Sequence, residues 1–587
     1  GLLVLTDNNF PGWKATVDGQ PAEVLTTDYT FRGVPLPPGG HTVEFTFTPT
    51  SLVAGGLVSA LSLAVLAALA AAFGWSALAR RTPAVQAHAA GRVTKNSLTP
   101  LASNIAVKVL GFGFSIFYFR LLGVTQVGKY VLAATIMLFL DTIIGFGLQQ
   151  LVMRDVARDK SSANAYLSNA VAVRLIVTLL VGGPILLGVW ALRRYAGFDG
   201  DTALVIAILV AGFVPGAFAN GFSHVFSAFE LMEYSAFVQV LTQIVNVALG
   251  VAFILAGWDI VGLAMAALLA NVFTAAAFWL LAGRSILKPH LELDGRLIAG
   301  IVRDAYPIML NQLLVVFFFK VDVLVLQPLR GNAEVGIYGA AYKFVDAMLL
   351  LPSTFVPAVF PILSRQAASQ REALKRGAEL SLKVLLLIAF PAVIVFEVFA
   401  DDIIRGFYGE RFAASTVALR ILMLFLPFSY VNGLTQYVLV ALDRQKTIVR
   451  FFAITAVFNL VVNLALIPRF GYIAASAVTV GSEIVLLAPL WWLTARELGG
   501  ASLVGVAARP AGAALAAGVL MFGLRQALVS PLGSFAGLLV AACAGAAAYA
   551  LALLALRAFS DDELALVRSL AGRRKASEGL TAGVLYP

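Results

Sequence analysis

Residues 334–348 read EVGIYGAAYKFVDAM, and a shorter echo, VGKYVLAA, begins at Val127. The longer copy lies in an oily chain yet carries Lys343 and Asp346 three positions apart, on one face of a helix. Aligning VGKYVLA with VGIYGAA places the two copies 208 residues apart. A second anchor keeps the order and nearly the spacing: Asn246 in TQIVNVALGVAFILAGWDIVGLA matches Asn459 in TAVFNLVVNLALIPRFGYIAASA, 213 residues further on. Two anchors at similar offsets read as an internal duplication. Each copy holds about six apolar spans, and an even number makes both copies enter a membrane in the same sense, related by an axis along the membrane normal. The expected fold is therefore an all-α polytopic membrane protein: two six-helix bundles flanking a central cavity, an architecture able to rock between inward-open and outward-open states.

Composition supports a membrane class. Of 587 residues, 60% are hydrophobic and 13% charged, about half the charged share of soluble domains, and the mean hydropathy is +0.89. Apolar runs near the roughly 20 residues that a spanning helix needs recur from Leu52 almost to the end. One cysteine, Cys543, excludes a disulfide within the chain and a thiolate metal cluster. The net charge of +10 does not point to nucleic acid, because the basic residues collect at the ends of apolar runs. No phosphate-binding glycine loop, metal-ligand spacing or nucleophile elbow is present, so no cofactor and no ATP-driven step are expected.

The organisation reads in seven parts. Residues 1–50 alternate apolar and polar positions in WKATVDGQPAEVL and HTVEFTF around Asp18-Gly19 and PPGG turns, a β module of about five strands. The chain opens on Gly1 with no apolar signal ahead of these strands, so upstream sequence is expected. A single anchor follows at 51–79, ending at Arg80-Arg81, then a polar linker at 80–95. The two bundles occupy 96–290 and 291–500, an extra pair of spans 501–560, and a tail 561–587 containing GRRK. That makes fourteen spans beyond the anchor. Lys and Arg fall mainly in alternate loops, Arg193-Arg194 excepted, which puts the linker and the C-terminal tail on the cytoplasmic side and the β module outside.

Three stretches carry a family resemblance: VDVLVLQPLRGNAEVGIYGAAYKFVDAMLLLPSTFVPAVFPILSR (321–365), RLLGVTQVGKYVLAA (120–134) and LVMRDVARDK (151–160). They resemble the polysaccharide-transport, Wzx-type flippases of the MOP superfamily over roughly residues 95–500, and the last two spans match that family's fourteen-span version. The resemblance implies a protein of the bacterial cytoplasmic membrane that moves undecaprenyl-pyrophosphate-linked oligosaccharide to the outer leaflet without covalent chemistry. Its implied partners are that polyprenyl-pyrophosphate substrate, membrane lipid, and the glycosyltransferases and polymerase of the same pathway. Separately, FPGWKATVDGQPAEVLTTDYTFRGVPLPPGGHTVEFTFTP and the span after it resemble the C-terminal module and last helix of YfhO-type membrane proteins, which are related to GT-C glycosyltransferases.

Charge inside spans is costly, about 2.5–3.5 kcal/mol per residue on insertion scales, so such residues face a wet cavity or a partner. Lys108, Arg174, Lys320, Lys343 and Arg420 are the candidate cavity cations for a pyrophosphate head group. Snorkelling or local pairing, Lys320 with Asp322 and Lys343 with Asp346, is the structural alternative. Asp141, Asp322, Asp346 and Glu483 are candidates for coupling to protons or Na⁺, with Glu397 a further acid and His224 a titratable neighbour. Two other functions fit the same residues: a MATE-like cation or drug antiporter, which favours an acidic cavity, and the scaffold half of a GT-C glycosyltransferase fusion.

Overall fold

A computed structural model describes residues 1–8, 13–27, 31–47, 88–192, 199–285, 289–369, 371–532 and 534–559. The anchor at 51–79, the first half of the 80–95 linker, Arg193-Arg194 and the 561–587 tail lie outside the described residues. The described chain forms two units, 1–93 and 94–587.

The first unit contains six strands rather than five: β1 (Leu2–Asn8), β2 (Trp13–Val17), β3 (Gln20–Ala22), β4 (Leu25–Thr27), β5 (Phe31–Pro35) and β6 (Val43–Phe47). They pair antiparallel in two three-stranded sheets, ordered β1-β5-β4 and β3-β2-β6. Strands as short as β3 and β4 are too brief to display an alternating pattern, which is why counting alternations falls short. Asp18 and Gly19 both take positive φ, 51° and 82°, as a two-residue type I′ hairpin turn between β2 and β3 requires. The Arg32 guanidinium stacks over the Trp13 ring at 3.8 Å, filling the module's small interior with a planar cation and an indole.

In the second unit, twelve helices are long and apolar enough to cross a membrane, and two of them are pairs of arms fused across a glycine, giving fourteen crossings among the described residues. Six of them make up the N-bundle. It comprises α1 (His88–Gly145), bent at Gly123, and α2 (Leu148–Arg158); α3 (Ala163–Val177) and α4 (Gly183–Leu192), joined by a π turn over Thr178–Gly182; α5 (Gly200–Ala211) and α6 (Phe213–Ala228); α7 (Met232–Leu255); and α8 (Asp259–Ser285). Six more make up the C-bundle. It comprises α9 (Gly295–Arg330), α10 (Asn332–Met348) with α11 (Leu350–Ser369), α12 (Arg371–Tyr408), α13 (Ser415–Met423) with α14 (Phe425–Ala441), and α15 (Gln445–Glu497), bent at Gly471. An extra pair, α16 (Leu503–Leu532) and α17 (Ser534–Ala555), docks on α12. Arg525 Nε donates to Asp402 Oδ2 at 2.8 Å and the Tyr549 hydroxyl to the Leu387 carbonyl at 3.0 Å.

Backbone geometry strengthens the duplication. Gly123 has φ 74° and ψ 174°, and Gly331, 208 residues later, has φ 85° and ψ 176°. Both are sharp turns that a side chain would strain. Five residues beyond each comes the glycine of the repeated phrase, Gly128 and Gly336, and these two face one another. A Cβ on Gly128 would overlap the carbonyl oxygen of Asn332, and one on Gly336 the carbonyl oxygen of Val124. The repeated phrase is thus the place where the bundles cross backbone to backbone.

Aromatic packing extends this seam. Phe119 of α1 stacks on Tyr408 of α12 at 4.7 Å, and Phe112 meets Phe344 of α10 at 5.4 Å, edge to face. Arg120 donates to the carbonyl oxygens of Gly406 and Phe407, satisfying the end of α12 from the opposite bundle. At the other end of the helices, Ile301 and Ala305 of α9 belong to the core built by α2, α3, α6 and α8. The chain joining the bundles is pinned there too: Asn169 donates to the Glu292 carbonyl and accepts from the Asp294 amide, each at 2.9 Å.

Candidate functional site

The repeated phrase places its charges beside the seam. Lys343 is half-buried on α10 next to Phe344, and it makes no hydrogen bond or ion pair with any described residue. Lys320, opposite on α9, lies over the Tyr342 ring at 3.6 Å and 3.5 Å from Asp346. Neither local pairing expected from the sequence forms. Lys320 crosses to Asp346 on α10, because Asp322 is turned the other way into the bundle core.

Asp322 is 2% exposed. It accepts from the Tyr338 hydroxyl, from Thr479 Oγ1 at 3.3 Å and from the Val323 amide at 2.8 Å. A buried carboxylate with three donors is a well-satisfied group that ties α9, α10 and α15 together.

Glu483 stands one helical turn beyond Thr479 and is 1% exposed. Asn432 Nδ2 of α14 donates to its Oε2 at 2.5 Å and to its own carbonyl oxygen at 2.9 Å, and Ser429 supplies a further hydrogen bond. No Lys or Arg among the described residues forms an ion pair with it. An adjoining chain of amides runs from Asn463 to Asn459 at 2.8 Å and from Asn459 to Ser482 at 2.9 Å. The Tyr342 hydroxyl donates to the Phe319 carbonyl oxygen at 3.2 Å.

The remaining candidates are dispersed. Lys108 is exposed on α1, one turn from Phe112 on the side away from Gly123. Counted along their helices, Lys108, Lys320 and Lys343 lie roughly 15–22 Å from the Gly123 and Gly331 turns at 1.5 Å per residue. Arg174 is buried in the N-bundle, its guanidinium close to Gly145 of α1. Arg420 is exposed on α13 and forms no ion pair among the described residues; Glu397 of α12 is half-buried. Asp141 and Asp346, read from sequence as buried acids, are both exposed, since each projects from its helix beyond the packed core. At the Gly123 end, Lys129 of the first phrase forms an ion pair with Asp199, the cap of α5. Burial pushes the Asp199 carboxyl up, but hydrogen bonds from Lys129 and Thr202 outweigh it and hold the group below its ordinary range.

Tyr338, Tyr342, Thr479 and Asn432 escaped the sequence reading. The repeated phrase carried a signal for one of them: Tyr130 and Tyr338 are its matched tyrosines, 208 residues apart. Asn432 gave none, since only tertiary packing brings it to Glu483.

Comparison with known proteins identifies the architecture. Residues 93–367 match the family described as polysaccharide biosynthesis protein, residues 307–465 the MatE family, and residues 1–59 the bacterial membrane protein YfhO family. The chain is 22% identical over 388 residues to a probable low-salt glycan biosynthesis flippase, Agl15 of Haloferax volcanii, covering 66% of this chain and 80% of that protein. It is 26% identical over 162 residues to a probable flippase, AglR, of the same organism, covering 27% and 34%. Among solved structures, the lipid II flippase MurJ in an inward closed conformation superposes with a TM-score of 0.65 at 14% identity, covering 78% of this chain and 99% of that one. An inward-facing multidrug resistance MATE family transporter gives 0.58 at 18% identity, covering 67% and 94%. The chain thus shares the fold of the MurJ and MATE transporters, matches the polysaccharide biosynthesis protein family over residues 93–367, and matches the YfhO family at its start.

Proposed function

We propose that this protein translocates undecaprenyl-pyrophosphate-linked oligosaccharide across the bacterial cytoplasmic membrane by alternating access. The observation that carries the reading is the pair Lys320 and Lys343 beside the bundle seam, one lysine loosely held by Asp346 and the other without a partner among the described residues. Two phosphates cannot enter hydrocarbon without counter-charge, and a lysine ammonium on a flexible stem follows a moving phosphate without a fixed geometry. The glycan-flippase names of the curated relatives support the same reading.

In this mechanism the head group enters between the bundles while the lipid tail stays in the bilayer. Lys108, Lys320 and Lys343 receive it, with Arg174 and Arg420 as further cationic stations. The Gly128–Gly336 crossing parts to release it on the far side. Asp322 and Glu483 are the coupling acids, because they are the buried carboxylates of the C-bundle; Asp141 and Asp346 balance the cations nearest them. The β module lies outside and the C-terminal tail inside, as the Lys and Arg distribution favours. The glycosyltransferases and polymerase of the same pathway supply and consume the substrate.

The test is reconstitution in liposomes with a fluorescent polyprenyl-pyrophosphate sugar, scoring access to an outside reagent. The wild type is expected to equilibrate the probe across the bilayer, and Lys320→Ala/Lys343→Ala to abolish transfer while inserting normally. Undiminished transfer in the double variant overturns the role of the lysines. Transport of a cationic dye with no movement of the lipid overturns the flippase reading.

A further inference from the structure

A cavity that the seam does not use lies where α11 meets α12. α11 ends at Ser369 and α12 begins at Arg371, and both are spans, so their junction stands at a membrane surface. Residues 350–363 and 384–396 carry no charge, whereas seven charged residues crowd the stretch between them. The cavity, of about 540 Å³, is lined from this stretch and so lies at the border between the polar surface and the hydrocarbon. Its volume falls within the roughly 300–1,000 Å³ of small-ligand sites.

Both helices supply its walls. Glu372 and Arg376, one turn apart on α12, are placed to pair along the helix, yet neither forms a hydrogen bond or ion pair with any described residue. The neighbouring Arg371 is already engaged, donating to the Glu497 carbonyl oxygen at 2.7 Å and to Glu497 Oε2 at 3.3 Å. Gln366 of α11 packs against the bare backbone of Gly377, where a Cβ would stand 2.6 Å from its Oε1, and that oxygen has no hydrogen-bond partner. Turning the amide toward the cavity therefore breaks no hydrogen bond. One turn further into the span on each helix the surface becomes apolar: Ile362 is 48% exposed and Leu380 39%. The cavity thus offers a cation, a carboxylate and a spare amide oxygen, with two aliphatic side chains beneath them.

A matching ligand carries a negative charge for Arg376, a cationic N–H donor for Glu372 and the Gln366 oxygen, and an apolar body that follows Ile362 and Leu380 into the bilayer. Phosphatidylethanolamine has these parts: a phosphate, a primary ammonium with three donors, and acyl chains. Phosphatidylcholine has both charges but no N–H to donate, and phosphatidylglycerol brings an anion beside Glu372 without a cation. We propose that this cavity is a head-group site for an aminophospholipid of the membrane, with Arg376 on the phosphate and Glu372 and Gln366 on the ammonium. The bound lipid bridges α11 and α12 at the membrane surface, whatever the bundles carry.

The test is native mass spectrometry of the full chain in detergent micelles, titrated with dioleoyl phosphatidylethanolamine, phosphatidylcholine and phosphatidylglycerol. One phosphatidylethanolamine per chain is expected to be held about threefold to fivefold more tightly than either other lipid, the worth of one partly exposed ion pair. Glu372 and Arg376 are both exposed, so their variants fold. Arg376→Gln weakens retention of all three phospholipids, Glu372→Gln erases the preference over phosphatidylglycerol, and Gln366→Leu weakens phosphatidylethanolamine alone. Arg303→Gln, at an exposed side chain of α9, changes nothing. Soluble phosphoethanolamine, which lacks the chains, is expected not to displace the lipid; displacement at equal concentration overturns the lipid as occupant. Equal retention of the three lipids by the wild type, or retention of phosphatidylethanolamine unmoved by both Arg376→Gln and Glu372→Gln, overturns the site.

Discussion

Gly128 and Gly336 meet with no side chain between them: the position of a Cβ on either is already occupied by a main-chain oxygen of the other bundle. They are the same position of the two repeats. An axis relating the bundles therefore passes close to this crossing, and the bundles touch there backbone to backbone. Closure at this seam requires glycine on both sides.

Gly336→Ala is accordingly expected to hold the seam apart and lower lipid transfer tenfold or more, without loss of membrane insertion. Thiol labelling at Thr125→Cys, read in the same vesicles, checks it: the variant label reacts faster than in a Gly336 background. Equal labelling and normal transfer would show that the crossing yields easily.

Asp322 joins three helices through Tyr338, Thr479 and the Val323 amide. Asp322→Ala strands two buried hydroxyls and is expected to cost about 1.5–3 kcal/mol, the range for hydrogen bonds to a charged group. Tyr338→Phe removes one of the three donors and costs less. Thermal unfolding of the purified protein, followed by tryptophan fluorescence, gives the ranking; the reverse order would relocate the anchor of this network.

Glu483 has amide and hydroxyl donors but no cation among the described residues. Glu483→Gln keeps its volume and is expected to preserve folding while removing the dependence of lipid transfer on an imposed pH or Na⁺ gradient. Asn432→Ala leaves the acid without its principal donor and destabilises the chain by about 1–3 kcal/mol. Gradient dependence surviving in Glu483→Gln would pass the coupling role to Asp322.

In the β module, His41 Nδ1 and Asp18 Oδ2 stand 2.6 Å apart and the Thr42 amide donates to Asp18 Oδ1 at 2.8 Å. The His41 hydrogen bond, then that of Thr42, holds the Asp18 carboxyl below its ordinary value of 3.8. Its contribution to stability is therefore full above that ordinary value and is lost as pH falls through the lower folded one. Hydrogen exchange across residues 13–47 of the full chain is expected to quicken over that acidic window in the wild type. Asp18→Asn shows the faster exchange already at neutral pH.

Much of the architecture is legible because the bilayer enforces it. Apolar runs of spanning length give the fourteen crossings, and the phrase at Val127 and Val335 marks both bundles. The type I′ turn follows from Asp18-Gly19 alone. What the sequence hides is set by direction around a helix. Lys320 and Asp322 are too close in sequence to share a face, so one turns to Asp346 and the other to the core. The link from Asn432 to Glu483 joins residues 51 apart, and no periodicity announces it. Phe112, Phe119, Phe344 and Tyr408 read as ordinary apolar positions until the crossing glycines bring their helices together.

The bundles are expected to part at the Gly128–Gly336 crossing to pass a phosphorylated lipid head group. Spin labels at Thr125→Cys and Ala333→Cys, exposed on either side of it, in a Cys543→Ser background free of the single native cysteine, report the separation by double electron–electron resonance. In vesicles without substrate one short distance is expected, and with a polyprenyl-pyrophosphate oligosaccharide a second, longer population. An unchanged short distance while the same vesicles translocate the lipid would contradict it.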